Sequence, residues 1–73
     1  MVSPDSAEFN PGALAALLER DGMTQAELAR RAGLSHRNSV NKILKGQKQV
    51  SGNELIRFCL IFQTPVAAFM KPA

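Results

Sequence analysis

Helix-start signals recur along this 73-residue chain, and they constrain its fold more than any other feature. Each signal is a capping residue followed by helix formers, with an apolar residue placed just before the cap. Thr24 with Glu27, and Ser51 with Glu54, have the spacing of a capping box, in which a hydroxyl and a carboxylate satisfy free backbone N–H groups. A chain divided in this way is predicted to form short helices joined by tight turns.

The spacing of these starts and of the glycine stops predicts five helices. Asn10 before Pro11 marks a further start, because proline suits the first position of a helix. No strand-like alternation of apolar residues appears, so the predicted fold class is all-α. Residues 1–8 are predicted to be a flexible N-terminal tail, and residues 9–73 to be a single domain. The predicted helices run from Pro11 to about Asp21, from Gln25 to about Ala32, between Gly33 and Gly46, from Ser51 through Phe62, and from Thr64 through Met70.

The third predicted helix has an apolar phase that begins one residue late. If Ser35 is its cap, its apolar partner should stand four residues further on, where the chain has Ser39. The apolar residue is Val40 instead, which moves the expected cap to His36. The turn before this helix is therefore predicted to hold one extra residue, within 35–37.

The charge of the chain is unevenly distributed. The net charge is +3, but residues 28–53 contain no acid, and the other cations and all six acids lie outside that block. A segregated positive field raises the local concentration of a polyanion such as nucleic acid, although a cationic block is also often only a solvated helix face. The cations of the block are Arg30, Arg31, Arg37, Lys42, Lys45 and Lys48.

The segment TQAELARRAGLS, residues 24–35, resembles the helix-turn-helix of the lambda-type phage repressor and Cro family, also called the Cro/C1 or XRE family. The resemblance covers roughly residues 12–70 and implies a compact five-helix, lambda-repressor-like DNA-binding domain with the helix-turn-helix at helices 2 and 3. Gly33 fits the pattern because a sharp turn between helices requires a left-handed backbone conformation. The other matching residues are Gln25, Leu28, Ala29, Leu34, Val40, Ile43 and Gly46.

Two features depart from the family pattern. Relatives usually have one residue fewer between the turn glycine and the first apolar residue of helix 3, in agreement with the extra residue inferred from capping. Many relatives also carry a glutamate where this chain has Leu44, paired with an arginine where this chain has Leu18. We expect these two leucines to contact each other, so that packing replaces a partly buried ion pair.

The resemblance implies that helix 3 is the recognition helix and enters the major groove of DNA. With Val40 and Ile43 facing the core, polar residues lie on its outward side. Arginine or lysine can bind guanine there and asparagine can bind adenine, although each residue is equally compatible with a solvated helix surface. The candidate base-reading residues are Arg37, Asn38, Ser39, Asn41 and Lys42.

Phosphate contacts are expected from elements that flank the groove. The start of helix 2 offers free N–H groups to a phosphate, and lysines after helix 3 can bind a second strand or remain solvated. His36 either contacts a phosphate or fills the enlarged turn, and we favour the turn. The candidate phosphate-binding residues are Thr24, Gln25, His36, Lys45, Gln47 and Lys48.

The family resemblance further implies a homodimer on a palindromic operator, with half-sites about 34 Å apart. The last apolar segment supplies more apolar surface than a small core needs, and core packing of helix 5 is the alternative use of these residues. The candidate dimer-interface residues are Phe62, Val66, Phe69 and Met70.

The composition argues against several other functions. With one histidine and one cysteine, the chain lacks the residue pairs of a metal site or a nucleophilic enzyme, so no catalytic role, metal or cofactor is expected. Cys59 stands among apolar residues and is expected to be buried and inert. No apolar run is long enough to span a membrane, and a cytoplasmic location is expected. We therefore predict a sequence-specific regulator of transcription that binds double-stranded DNA as a repressor. The alternative is a protein-interaction module, such as an antitoxin or phage regulator.

Overall fold

The structure is a computed structural model, and it describes residues 7–36 and 38–72. These residues form four α-helices, one short 3₁₀ helix and a two-stranded antiparallel sheet. In chain order the elements are β1 Ala7–Phe9, α1 Pro11–Asp21, α2 Gln25–Arg31, α3 Asn38–Leu44, α4 Gly52–Phe62, the 3₁₀ helix Val66–Phe69, and β2 Met70–Pro72.

The starts of α1, α2 and α4 lie where the capping residues predict them, whereas α3 begins at Asn38, beyond the cap expected at His36. The side chain of Asn10 accepts a hydrogen bond from the N–H of Gly12 at 3.0 Å. At Ser51 the capping box is complete, since its hydroxyl accepts from the N–H of Glu54 and the Glu54 carboxylate accepts from the N–H of Ser51. The box predicted at Thr24 is only half formed: its hydroxyl accepts from the N–H of Glu27, whose carboxylate turns to an arginine of the same helix instead.

Each of the four helices ends in a left-handed residue, which stops the helix and redirects the chain. For α1, α2 and α3 this residue is Gly22, Gly33 and Gly46, and the following N–H donates to a carbonyl five residues back. In α4 the same position is held by Gln63, with a φ of 53°. The helices are therefore short because local sequence terminates them.

The C-terminal segment differs from the predicted fifth α-helix. Pro65 precedes a single 3₁₀ turn, in which the N–H of Ala68 donates to the Pro65 carbonyl at 3.0 Å. The backbone then extends into β2, which pairs with β1 so that Phe9 lies opposite Met70. The mostly helical architecture fits the predicted all-α class, but the described residues form four α-helices rather than five. Two short strands also occur, and three residues are too few to show strand-like alternation in the sequence. Residues 7 and 8, assigned by sequence to the tail, belong to β1.

The core gathers apolar side chains from all the helices. Phe69 lies at its centre, with its ring centroid about 6 Å from the rings of Phe9, Phe58 and Phe62. The buried core residues are Leu14, Leu18, Leu28, Ala29, Ala32, Val40, Ile43, Phe58, Phe62 and Phe69. Leu44 and Cys59 are partly buried against this core. The expected direct contact between Leu18 and Leu44 stays a prediction.

Two arginines connect helix ends that are distant in sequence. Arg20 of α1 donates to the carbonyl of Phe62, and Arg57 of α4 donates to the carbonyl of Ala32, each at 3.0 Å. These bonds satisfy carbonyls at helix C-termini that have no partner within the helix. Arg20 also hydrogen-bonds to Asp21, and this bond lowers the pKa of the Asp21 carboxyl. The bond from Arg57 to the Ala32 carbonyl links α4 to the C-terminal end of α2, within the helix-turn-helix.

Candidate nucleic-acid interface

The candidate interface is built on α2, α3 and the turn between them. Val40 and Ile43, the apolar residues predicted to anchor α3, are both buried. Gly33 opens the turn with a φ of 69°, a conformation that strains any residue with a Cβ. The two helices pack against each other, and α3 also packs against α1. Because Val40 and Ile43 face the core, the opposite side of α3 is the one left exposed to solvent.

The uncovered side of α3 is polar and cationic. Asn38 and Lys42 lie one turn apart on α3, Lys45 follows in the turn beyond its C-terminus, and all three are exposed. Asn41, another predicted base-reading residue, is half-buried at the edge of this surface. We call Asn38, Lys42 and Lys45 the α3 face. It presents the amide and ammonium groups that can hydrogen-bond to base edges and phosphates.

Two predicted base-reading residues do not belong to the described α3 face. Ser39 is only 7% exposed and is packed on the inward side of the helix, which argues against the predicted base contact. The reason is geometric, since a residue next to Val40 and four before Ile43 lies close to the buried stripe. Arg37 lies outside the described residues, so its predicted role has no structural description.

The predicted phosphate-binding residues are spread around the α3 face. Thr24 and Gln25 are exposed at the start of α2, and Gln47 is exposed beyond α3. His36 is exposed in the turn, and its backbone carbonyl accepts a hydrogen bond from the N–H of Ser39 at 3.0 Å. That bond gives His36 a part in the backbone of the turn without using its imidazole.

The cations of the basic block differ in their partners. Arg31 lies 2.8 Å from the Glu27 carboxylate and Arg30 lies 3.9 Å from it, so this pair of arginines is partly neutralised. Lys42 and Lys45 have no carboxylate within 4.0 Å among the described residues. Among the described cations of the basic block, the two without a nearby carboxylate are therefore both on the α3 face.

Lys48 differs from the other two lysines because an acid lies beside it. Its ammonium lies 3.5 Å from the carboxylate of Glu54, the same group that completes the capping box of α4. Burial raises the pKa of Glu54, but hydrogen bonds from Ser51 and the charge of Lys48 outweigh it, and the net pKa lies below its ordinary value. Lys48 thus holds the loop before α4 in place, and its charge is less available to a phosphate.

The four residues predicted to form a dimer interface are not all on the surface. Phe62 and Phe69 are core residues, with 2% and 0% of their surface exposed, so their apolar character is explained by the fold of one chain. Val66 is exposed and Met70 is half-buried. Sequence reasoning missed two exposed apolar residues on α4, Ile56 and Leu60, because α4 carries apolar residues on both of its sides.

Neither of two further kinds of feature, a metal-binding cluster and a membrane-spanning helix, occurs in the described ranges. No group of three or more histidine, cysteine, aspartate or glutamate side chains in residues 7–36 and 38–72 could hold a metal ion. None of the helices described is long and apolar enough to cross a membrane.

The chain matches the model of a known protein family. A family model described as Helix-turn-helix matches residues 14–69, from the first core leucine of α1 to the central phenylalanine of the core. No curated protein matches the sequence significantly.

Proposed function

The chain belongs to the Cro/C1-type (XRE) helix-turn-helix family of DNA-binding regulators, and from this we propose that it binds a specific double-stranded DNA sequence through α3. The single observation that carries the proposal is the composition of the α3 face. It is exposed, holds an asparagine and two lysines that have no carboxylate within 4.0 Å in the described part of the chain, and lies opposite the side that anchors the helix in the core.

The chemistry of the α3 face suits the edges of base pairs in the major groove. The Asn38 amide can donate to and accept from one adenine, and the Lys42 ammonium can donate to the two acceptors of guanine. Asn41 can reach a base only at the edge of the contact, because it is half-buried. Arg37 stays a candidate from sequence alone.

Phosphates are proposed to hold the domain in register on the duplex. Thr24 and Gln25 at the start of α2, and Gln47 beyond α3, are exposed polar groups outside the α3 face, and Lys45 lies at the C-terminal end of the face itself. Such contacts position a protein without reading sequence. His36 is exposed in the turn between these two sets, where its imidazole can contact the backbone of the same strand.

We further propose that the chain acts as a homodimeric repressor on a palindromic operator. One α3 face spans only a few base pairs, and two copies related by a twofold axis double the length of sequence that is read. A small domain that occupies an operator in this way blocks other proteins from the same DNA.

The test is selection of binding sites from random duplex DNA by the purified chain. A single enriched motif is expected, with two inverted half-sites whose centres are about one helical turn apart. Recovery of random sequences, or binding that does not weaken when salt is raised, would contradict the proposal. A matched control is the variant Lys42→Ala with Asn38→Ala, which keeps the buried side of α3 and is expected to enrich no motif.

A further inference from the structure

The outward side of α4 carries a short apolar stripe that the fold of one chain leaves uncovered. Ile56 is 56% exposed and Leu60 is 72% exposed, one helical turn apart. Both lie on the side of α4 opposite Phe58 and Phe62, which face the core. Asn53 and Gln63, both exposed and uncharged, extend the stripe by one position at each end. We call these four residues the α4 stripe.

The α4 stripe has the spacing and the order of a self-complementary helix contact. Its residues stand three, four and three positions apart, which is the spacing that keeps a seam on one side of paired helices. Their order is polar, apolar, apolar, polar in either direction along the helix. Two antiparallel copies aligned at the level of Phe58 therefore place Ile56 opposite Leu60 of the second copy, and Asn53 opposite Gln63 of the second copy.

The charges of α4 fit such a contact because none of them lies on the stripe. An interface between identical surfaces brings like charges together, and this disfavours pairing wherever a charge is present. The two charged residues of α4 are both engaged elsewhere: Arg57 donates to the Ala32 carbonyl, and Glu54 bonds to Ser51 and Lys48. The stripe is thus neutral along its whole length.

The end of α4 gives a second, independent observation. The three preceding helices terminate in a left-handed glycine, whereas α4 terminates in Gln63, which adopts the same conformation with a side chain present. A side chain is disfavoured in that conformation, so its presence calls for a use. Gln63 is exposed at the end of α4, next to the last turn of the stripe, and its amide can hydrogen-bond to the amide of Asn53 in an antiparallel partner.

We infer that the α4 stripe is where a second copy of this chain docks, antiparallel, with Ile56 of each copy packed against Leu60 of the other. The inference rests on the proposed function for its role and deepens it by naming the contact between the two DNA-bound copies. Two apolar side chains per copy bury far less than the roughly 1,600 Å² of a standard stable interface. The pair is therefore weak in free solution and strengthens when one duplex holds both copies.

Chemical crosslinking tests the register directly and without DNA. Variants I56C and L60C are prepared separately in the C59S background, which removes the native thiol, and one of them carries a size tag. They are mixed in equal amounts and treated with a short bismaleimide. The crosslinked product joining I56C to L60C is expected to exceed both homodimeric products several-fold. An A16C variant, with its thiol on the exposed surface of α1, sets the background level. Homodimeric products in excess, or no product above that background, would overturn the inference.

Charge substitution gives a second test that excludes misfolding as the explanation. The variants L60E and I56K are each expected to sediment as monomers at concentrations where the wild type is partly dimeric. An equimolar mixture is expected to recover the dimer, because the antiparallel register brings the two opposite charges together. Failure of the mixture to associate, with both variants helical by circular dichroism, would contradict the register.

DNA binding then separates this inference from the proposed function. On a duplex with two selected half-sites, L60E is expected to lose cooperativity, while its affinity for a single half-site stays within twofold of wild type. The control A16E adds the same charge on α1 and is expected to keep cooperativity. If no specific site can be selected at all, the proposed function fails, and the crosslinking result still decides whether the α4 stripe pairs.

Discussion

The α3 face and the α4 stripe are both exposed on helices packed into one core, but they differ in the chemistry offered to a partner. The α3 face presents an amide and two ammonium groups that have no carboxylate within 4.0 Å in residues 7–36 and 38–72, which suits a hydrated polyanion. The α4 stripe presents two aliphatic side chains between two uncharged amides, which suits a protein surface that excludes water. Exposure alone therefore does not identify a function, because the charge of the residues around an exposed group decides which partner it can bind.

The largest expected effect compares two isoleucines that differ in burial. Ile43, on the inward side of α3, is 1% exposed, whereas Ile56, on the α4 stripe, is 56% exposed. Ile43→Ala is expected to lower the free energy of unfolding by about 2–5 kcal/mol, because it opens a cavity in the core. Ile56→Ala is expected to stay within about 0.5 kcal/mol of wild type. Urea unfolding monitored by circular dichroism, at low protein concentration, measures both; equal losses would contradict the assignment of the two faces.

Features of the fold that depend on local sequence signals can be predicted from the sequence. The helix starts at Pro11, Gln25 and Gly52 follow from capping residues within one turn of each start, and such local signals need no knowledge of the tertiary structure. The buried side of α3 is predictable for a similar reason, since its only apolar residues are Val40, Ile43 and Leu44, of which the first two are buried and the third is partly buried against the core.

Features that depend on tertiary packing could not be predicted in this way. Apolar residues surround most of α4, so the sequence does not distinguish Phe62, which enters the core, from Leu60, which faces solvent. The sequence predicts Phe69 at an interface because the last apolar segment exceeds what a small core needs, whereas in the structure Phe69 packs against Phe9 from the other end of the chain. The pairing of β1 with β2 depends on the same long-range packing, since Phe9 stacks on Phe69 beside the sheet.

A second prediction compares two asparagines, one on each surface. Asn38→Ala on the α3 face is expected to weaken binding to the selected DNA site by about 1–3 kcal/mol, because one base loses its hydrogen-bonding partner. Asn53→Ala on the α4 stripe is expected to leave the affinity for a single half-site within twofold of wild type. Fluorescence anisotropy on a labelled half-site duplex measures both. If the two variants lose affinity equally, the α3 face is not where sequence is read.

A third prediction concerns the capping box that begins α4 and positions the stripe. Ser51→Ala is expected to lower the free energy of unfolding by about 0.5–2 kcal/mol at neutral pH, because it removes the hydroxyl that accepts from Glu54. The carboxylate of Glu54 has a lowered pKa, so its stabilising effect is fully present above the ordinary value of 4.5 and is lost as pH falls through the lowered value.

The pH dependence distinguishes this box from the half-formed one at Thr24. Urea unfolding between pH 3 and pH 7 is expected to show a smaller loss of stability on acidification in Ser51→Ala than in wild type. Thr24→Ala serves as the control, because the N–H of Thr24 makes no reciprocal bond to the Glu27 carboxylate, so the substitution should leave the acid loss unchanged. An identical pH profile in all three proteins would show that the stabilising charge of Glu54 does not act through the Ser51 hydroxyl.

The smallest expected effect compares two lysines that follow α3. Lys45 has no carboxylate within 4.0 Å among the described residues, whereas Lys48 lies 3.5 Å from Glu54. A lysine that neutralises one phosphate adds about −0.9 to the slope of the logarithm of affinity against the logarithm of salt concentration. Lys45→Gln is expected to make that slope shallower by about this amount, measured by anisotropy between 50 and 200 mM salt. Lys48→Gln is expected to change it less, because the charge of Lys48 is already compensated within the protein. A larger change for Lys48 would mean that DNA draws this lysine away from Glu54, so that the start of α4 and the DNA compete for one charge.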